Sequence, residues 1–452
     1  MAVTRREVLG AALAGAAVAV APKWLRIAPS RPNILFMLAD DLGYGDLSAF
    51  GRPDYRTPNL DRLATQGIRF TNAYSAGAVC TPTRCALATG RYPARLPIGL
   101  EEPLLEANVS VGLPPNHPTI ASLLTAADYE TALIGKWHLG SLPQHGPNRH
   151  GYQTFFGILT GAADYFTHEN QLGKADLYED VVPVDQIGYL TDLLTSRAVS
   201  YVSRQRRRPF FLSLHYTAPH WPWQGPHDQE STRKRRSFQA GGSPRVFADM
   251  VRSLDQGVGQ VMDALRTTGQ DRRTLVIFTS DNGGERYSFQ WPLSDAKGSL
   301  REGGIRIPAI VRWVGTVKTG RTSEQVVISM DWVATMLAAA GVPADPAYPL
   351  DGIDLLPLRP GERSVLERAV YWRTRAWRAG AEFGPAQAAA RIGRWKYLRI
   401  GDTEHLFDLS TDPGEDADVS PDQPETLEQL RAGFQRWNAT MLPDPGVVEF
   451  PR

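Results

Sequence analysis

Two cysteines, Cys80 and Cys85, are all that a chain of 452 residues carries. If Thr81 to Ala88 is helical, two side chains five positions apart diverge, which argues against a stabilising disulfide between them. A surplus charge is also lacking. With 49 lysines and arginines against 48 aspartates and glutamates, the broad electrostatic argument for a nucleic-acid binder disappears, and any anion must meet a local positive site. The uncharged stretch from Val8 to Ala21 is too short to span a bilayer comfortably, so no stable membrane insertion is expected. No repeat at a solenoid period and no low-complexity tract beyond that stretch are found.

What is present is the composition of a soluble globular protein, 42% apolar and 21% charged. The length predicts one large domain with a smaller partner, or two similar ones. Arg5 and Arg6 precede the uncharged stretch, and Ala17-Val18-Ala19 is a small-residue cleavage site. Residues 1–28 therefore read as a signal peptide of twin-arginine type, implying a periplasmic or secreted protein; an uncleaved anchor is the alternative.

Several apolar runs end in polar residues able to do chemistry. Asn33 to Ala39 stops at Asp40 and Asp41, Leu275 to Phe278 leads to Asp281 and Asn282, Phe210 to Leu214 leads to His220, and Ala132 onward leads to Lys136 and His138. Continuous apolar strands imply a sheet covered on both faces, usually parallel. Helical signals alternate with them: Thr57-Pro58 is an N-cap and N1 pair, and Phe247, Val251, Leu254, Val258, Met262 and Leu265 form one apolar stripe. The expected fold is an α/β sandwich, a large mostly parallel sheet between helices, with its ligand site beyond the carboxyl ends of the strands. Residues 29–360 form the main domain in this reading. Residues 361–452 form a smaller α+β subdomain, with aromatic strands at Val370 to Trp372 and Trp395 to Ile400 and a closing helix through Leu427, Leu430, Phe434 and Trp437. Gly225 to Gly242, with Arg233, Lys234, Arg235 and Arg236, reads as a long loop with a solvated charged face.

Asp40, Asp41, Asp281 and Asn282 at two strand ends supply hard oxygen ligands, suited to Ca2+ or Mg2+ and poor for zinc. Adjacent carboxylates repel unless a cation lies between them. Either pair alone would read as a cap or solvated turn; two pairs after two buried strands favour a metal. Cys80 precedes Pro82, which suits a first helical turn, with Gly90 as the stop. Position 80 then meets the positive end of a helix, where an anion or an activated nucleophile is stabilised. Cys85 reads as buried and inert.

The stretch Cys80-Thr81-Pro82-Thr83-Arg84 fits C-x-P-x-R and is followed by LATGRYPAR. With LADDLGYGDL, GKWHLG, TAPHWP, TSDNGG, KGSLREGGIRIP and HLFDLSTDPGE in that order, the chain resembles the sulfatases that convert this cysteine to formylglycine, within the alkaline phosphatase superfamily. The resemblance covers nearly the whole chain after the signal. It implies a sulfuric ester hydrolase in which the hydrated aldehyde at position 80, bound to the metal with Asp40, Asp41, Asp281 and Asn282, attacks sulfur and forms a sulfate ester. The second hydroxyl then expels sulfate, so the thiol is the precursor of another group. By the same resemblance Arg84, Lys136, His138 and Lys297 fill the cationic and hydrogen-bonding positions, His138 accepts a proton during sulfate release, and His220 protonates or contacts the leaving alcohol. A formylglycine-generating maturation enzyme and a small-molecule or glycan sulfate ester are the implied partners. Gly161 stands where some relatives carry a substrate-holding hydroxyl, which puts that contact in doubt. Trp137 and Trp221 read as pocket wall or core, His145, His150 and His215 have no assigned role, and RHGYQTFFG reads as a structural turn. Two rivals stand: a phosphate or phosphonate ester hydrolase on the same scaffold, and an inactive relative that binds sulfated glycans with Cys80 still a thiol.

Overall fold

The computed structural model describes residues 31–106, 110–230, 237–356, 366–375 and 385–443. The signal segment, the proposed boundary near residue 360 and the basic run from Arg233 to Arg236 lie outside them. In chain order the elements used below are β1 (Asn33–Ala39), α1 (Pro58–Thr65), β2 (Ile68–Phe70), β3 (Ala73–Tyr74), α2 (Cys80–Thr89), α3 (Ile120–Ala126), β4 (Glu130–Gly135), β5 (Thr154–Ile158), β6 (Leu177–Glu179), β7 (Val182–Pro183), α4 (Leu190–Ser203) and β8 (Phe210–His215). Then follow α5 (Pro244–Thr267), β9 (Thr274–Ser280), α6 (Glu302–Ile305), β10 (Ala309–Arg312), β11 (Arg321–Ser323), β12 (Val327–Ile328), α7 (Ser329–Ala340), β13 (Ala369–Thr374), β14 (Gln387–Ile392), β15 (Trp395–Ile400), β16 (Thr403–Asp408) and α8 (Pro424–Asn438).

Ten strands form one sheet in the order β11-β2-β10-β9-β1-β8-β4-β5-β6-β7. The central strands β9, β1, β8, β4 and β5 run parallel, while β10 and β6 join antiparallel on either side. Strand β1 is buried throughout, and its pleat divides it between two layers. Ile34, Phe36 and Leu38 pack with Leu87 of α2, Leu124 of α3 and Trp332 and Met336 of α7. Leu35 and Met37 face the other way, onto Leu60 of α1, Leu194 of α4 and Val251, Leu254 and Val258 of α5. Each such fully buried side chain contributes about 1.5–3 kcal/mol of transfer free energy. This is the covered sheet expected from the unbroken apolar runs.

Parallel strands deliver their carboxyl ends to one edge, and the ladder continues past them. Asp281 N donates to Ala39 O at 3.2 Å, Asp40 N to Ala218 O at 3.2 Å and Lys136 N to His215 O at 3.0 Å, so the tips of β1, β9, β8 and β4 form one row. Helix α2 ends at Gly90, whose φ of 71° is the left-handed cap. Thr57 precedes α1 as expected, but its hydroxyl makes no cap bond to the helix; it lies 3.0 Å from Ser48 Oγ instead. RHGYQTFFG is more than a turn, because its second half is strand β5, paired parallel with β4.

The last four strands make a separate antiparallel sheet, β13-β14-β15-β16. Its outer face takes Leu430 and Phe434 of α8 onto Ala388, Ala390, Tyr397 and Leu406. Its inner face sets Trp372, Ala389, Leu398 and Phe407 against Tyr74, Leu300, Ile305 and Ile328. Trp372 Nε1 donates to Ser75 O at 2.7 Å, tying this sheet to the chain entering α2.

Candidate active site

Four potential ligand atoms, from Asp40, Asp41, Cys80 and His220, all lie within 4.8 Å of one another, and all four residues are buried. Cys80 opens α2, and its thiol faces Asp40 Oδ1 at 3.6 Å. Burial pushes this thiol up to about 12, against the lowering effect of Lys136 and Lys297. The unmodified thiol is thus held in its protonated form, in keeping with its reading as the precursor of another group. Cys85 is a buried free cysteine, as expected.

Each carboxylate has a cation. Lys136 Nζ donates to Asp40 Oδ2 at 2.6 Å, and Lys297 Nζ donates to Asp41 Oδ2 at 2.7 Å. Arg84, one helical turn beyond Cys80, donates to Asp281 Oδ2 at 2.9 Å and to Lys136 O at 2.9 Å, with Asp40 Oδ2 at 3.5 Å. Asp281 Oδ1 accepts from Asp41 N at 3.1 Å, which fixes the left-handed backbone of Asp41 at φ 62°. Burial and the neighbouring Asp281 raise Asp40 to about 7. Against the same burial, Arg84, Lys136 and Lys297 hold Asp281 near 2. The carboxylates compete for positive charge.

The donor set can be tested for a cation. Asn282 Nδ2 donates to Asp41 Oδ1 at 2.7 Å, leaving the buried Asn282 Oδ1 with no partner. A buried amide oxygen without a donor, beside three aspartates, fits a hard divalent cation. The sulfur of Cys80 and the nitrogen of His220 are softer, so hardness rests on Asp40, Asp41, Asp281 and Asn282.

Burial disfavours the charged form of both histidines. His220 Nδ1 donates to Trp221 O at 2.6 Å, leaving Nε2 as the free lone pair, 3.6 Å from Asp41 Oδ2. Burial, then Lys297 and Lys136, hold it well below its ordinary value. His138 Nε2 donates to Leu104 O at 2.9 Å, and Nδ1 is buried without a partner; burial and Lys136 depress this ring as well. Gly161 borders that ring. A Cβ there would lie 2.8 Å from His138 Cε1, so a side chain at 161 and this histidine placement exclude each other.

His215, without an assigned role, lies at the end of β8 with Nδ1 3.2 Å from Lys136 O and 3.5 Å from Arg84 Nη1. Trp137 and Trp221 are both buried walls. One candidate went unnoticed in the sequence: Glu285, raised by burial against the pull of Lys297, has its buried Oε2 unpartnered. Its position directly after Asp281-Asn282-Gly283-Gly284 was the available signal.

A mostly parallel sheet whose strand tips gather aspartates, lysines and histidines around a helix-opening cysteine has the site placement of an α/β enzyme. The sulfatase family profile matches residues 32–342, and that of the N-sulphoglucosamine sulphohydrolase C-terminal region matches residues 294–436. Arylsulfatase A of Bos taurus is 32% identical, covering 93% of this chain and 91% of its own. N-acetylgalactosamine-6-sulfatase of Homo sapiens is 30% identical over 92% of this chain and 87% of its own. The solved structure of Ps i-CgsB in complex with k-i-k-neocarrahexaose superposes with a TM-score of 0.83 at 32% identity, covering 92% of this chain and 94% of that one. The chain belongs to the sulfatase family, and the protein is a sulfuric ester hydrolase. No helix among the described residues is long and apolar enough to cross a membrane.

Proposed function

We propose that the protein releases sulfate from a carbohydrate or aryl sulfate monoester, with residue 80 acting as formylglycine and one Ca2+, or Mg2+, held by Asp40, Asp41, Asp281, Asn282 and the oxygen of residue 80. The observation that carries the reading is the convergence of Asp40, Asp41, Cys80 and His220 within 4.8 Å, with Lys136 and Lys297 paired to the two aspartates. The cation, when bound, supplies Lewis-acid polarisation and lowers the cost of deprotonating a nucleophile. The hydrated aldehyde supplies that hydroxyl and a second one through which sulfate departs.

The chain's own residues do the rest. Lys136 and Lys297 offer compact positive charge to the sulfuryl oxygens, in a site where burial strengthens each contact. Arg84 locks Asp281 and reaches Asp40, keeping the acidic wall in place. His138 Nδ1, buried and unpartnered, takes a proton from residue 80. His220 Nε2, left free by the bond of Nδ1 to Trp221 O, faces the leaving alcohol oxygen and can protonate it only after taking up a proton itself. Carbohydrate and aryl sulfates both stand as substrates, because relatives at comparable identity are named N-acetylgalactosamine-6-sulfatase and arylsulfatase A and a solved one is in complex with a neocarrahexaose. Maturation requires a formylglycine-generating enzyme, and the twin-arginine leader directs the protein to the periplasm or outside. Residues 29–360 and 361–452 are the catalytic domain and its C-terminal subdomain in this reading.

The test compares initial rates on nitrophenyl sulfate and nitrophenyl phosphate with matured protein, together with the mass of the peptide containing residue 80. Faster sulfate hydrolysis and an aldehyde mass are expected. Faster phosphate hydrolysis would reassign the substrate, and an unmodified thiol in the native host would reduce the protein to a binding relative.

A further inference from the structure

The motif ending in Asp412-Pro413-Gly414-Glu415 lies in the C-terminal part of the chain and takes no part in the site described above. Its last residue nevertheless reaches the loop that carries Lys297. Glu415 holds a left-handed backbone at φ 58°, a conformation a glutamate adopts only at a cost. The turn that imposes it is anchored by Asp412, which accepts from Asp416 N at 3.1 Å and Ala417 N at 2.9 Å. Gly414 approaches Pro292 so closely that a Cβ would lie 3.1 Å from its carbonyl oxygen. The strained backbone thus delivers one buried carboxylate to one place.

There, Glu415 Oε2 accepts from Glu302 N at 2.6 Å and from Ser294 Oγ at 3.2 Å. Its Oε1 lies 2.9 Å from Lys396 Nζ, which also pairs with Glu302 Oε1 at 2.9 Å. Arg301 donates to the Glu415 carbonyl at 3.1 Å, and Leu300 N donates to Gln387 Oε1 at 2.7 Å. Ser294 and Glu302 bracket the Lys297 loop, whose ends close on each other through Gly303 N to Ser294 O at 2.8 Å. Between these clamped ends, Lys297 N donates to Gly284 O at 3.0 Å and Gly298 N to Ala78 O at 2.9 Å. Lys297 Nζ then meets Asp41.

We propose that Glu415 is a positioning residue for Lys297: by bridging Ser294, the Glu302 amide and Lys396, it fixes both ends of the loop from the C-terminal sheet and so sets where the Lys297 ammonium stands beside Asp41 and residue 80. This inference rests on the sulfatase reading for its kinetic consequence, because Lys297 is placed there on a sulfuryl oxygen. The C-terminal sheet then contributes to turnover through loop geometry, without touching substrate.

The experiment is a double-mutant cycle on the full, matured protein, with Glu415→Gln, Lys297→Ala and the pair assayed on nitrophenyl sulfate. With Lys297 present, Glu415→Gln lowers kcat/KM by about 10- to 100-fold, the scale of a remote misplacement of about 1 Å. In the Lys297→Ala background the same change has less than about a twofold effect, because the interaction it serves is already gone. Glu404→Gln, which loosens the contacts of the same sheet to Arg431 and Tyr397, lowers melting temperature without lowering kcat/KM. Equal losses in both backgrounds, or no loss with Lys297 intact, would overturn the proposal. If Glu415→Gln does not fold, Gln387→Ala, which releases Leu300 N, replaces it in the cycle. Amide hydrogen exchange across residues 294–303 keeps the two readings apart: faster exchange in the variant is expected whether or not sulfate is released, and unchanged exchange overturns the positioning role. Wild-type protein that releases no sulfate refutes only the reaction.

Discussion

Lys136 and Lys396 are both fully buried ammonium groups held by carboxylates, yet their surroundings differ. Around Lys396 the two glutamates close on the ammonium and on neighbouring donors, although Glu415 Oε1, 2.9 Å from Nζ, makes no hydrogen bond of good geometry. Glu302 Oε1 and Glu415 Oε1 each lie 2.9 Å from its Nζ, Glu302 Oε2 accepts from Tyr74 OH at 2.6 Å, and Glu415 Oε2 accepts from Glu302 N at 2.6 Å. Around Lys136 the carboxylates crowd one another, Asp40 is pushed up to about 7 by burial and by Asp281, and Asn282 Oδ1 and His138 Nδ1 are buried without partners. Buried ion pairs alone do not mark a functional site, since a closed one serves packing and register. What sets the strand-tip cluster apart is its place at the carboxyl ends of the parallel strands, where a thiol, a histidine and an orphaned amide oxygen gather on the aspartates.

The largest expected effect that sharpens this contrast comes from Cys80→Ala. Sulfate release should fall by at least about 10^4-fold, as when a nucleophile is deleted, while the melting temperature holds, because the thiol makes one long contact to Asp40. A melt several degrees lower would make the strand-tip cluster a structural element like the other. Next, Glu302→Gln should destabilise the fold by roughly 3–5 kcal/mol in denaturant titration, the cost of breaking a buried pair from one side. A loss below about 1 kcal/mol would remove the claim that the Lys396 cluster is a structural weld.

A smaller effect concerns acid. Glu302 is held down to about 2, with Lys396, Arg306 and Arg391 overcoming burial. A depressed folded value means that its contribution is complete above the ordinary glutamate value of 4.5 and is lost as pH falls through about 2. Unfolding free energy measured between these limits should drop with pH more steeply in the wild type than in Glu302→Gln. Parallel profiles would show that the ionised Glu302 contributes nothing.

The two clusters also differ in how far they could be read from sequence. The strand-tip residues announced themselves, because each follows an unbroken apolar run and parallel strands bring their carboxyl ends together. Asp40, Lys136, His220 and Asp281 could be placed at one edge before any distance was known. The Lys396 cluster could not. Glu302, Lys396 and Glu415 lie in three separate segments with no periodicity linking them, and their meeting depends on how the second sheet docks. The same limit explains the strands outside the parallel core. β2 and β10 are short and antiparallel, and β14 reads Gln387-Ala-Ala-Ala-Arg-Ile392, poor in the β-branched residues that signal a strand, so its burial between α8 and the Tyr74 layer decides its state. Glu285 escaped notice because a lone carboxylate after a glycine pair resembles any solvated loop residue.

The central claim is that the strand-tip cluster is complete only with a divalent cation, and calorimetric titration of matured, chelator-stripped protein with Ca2+ and with Mg2+ tests it most directly. One ion per chain should bind, with binding lost in Asp41→Asn and Asp281→Asn and retained in Glu302→Gln. No binding of either ion, or undiminished binding when Asp41 and Asp281 are replaced, would contradict it.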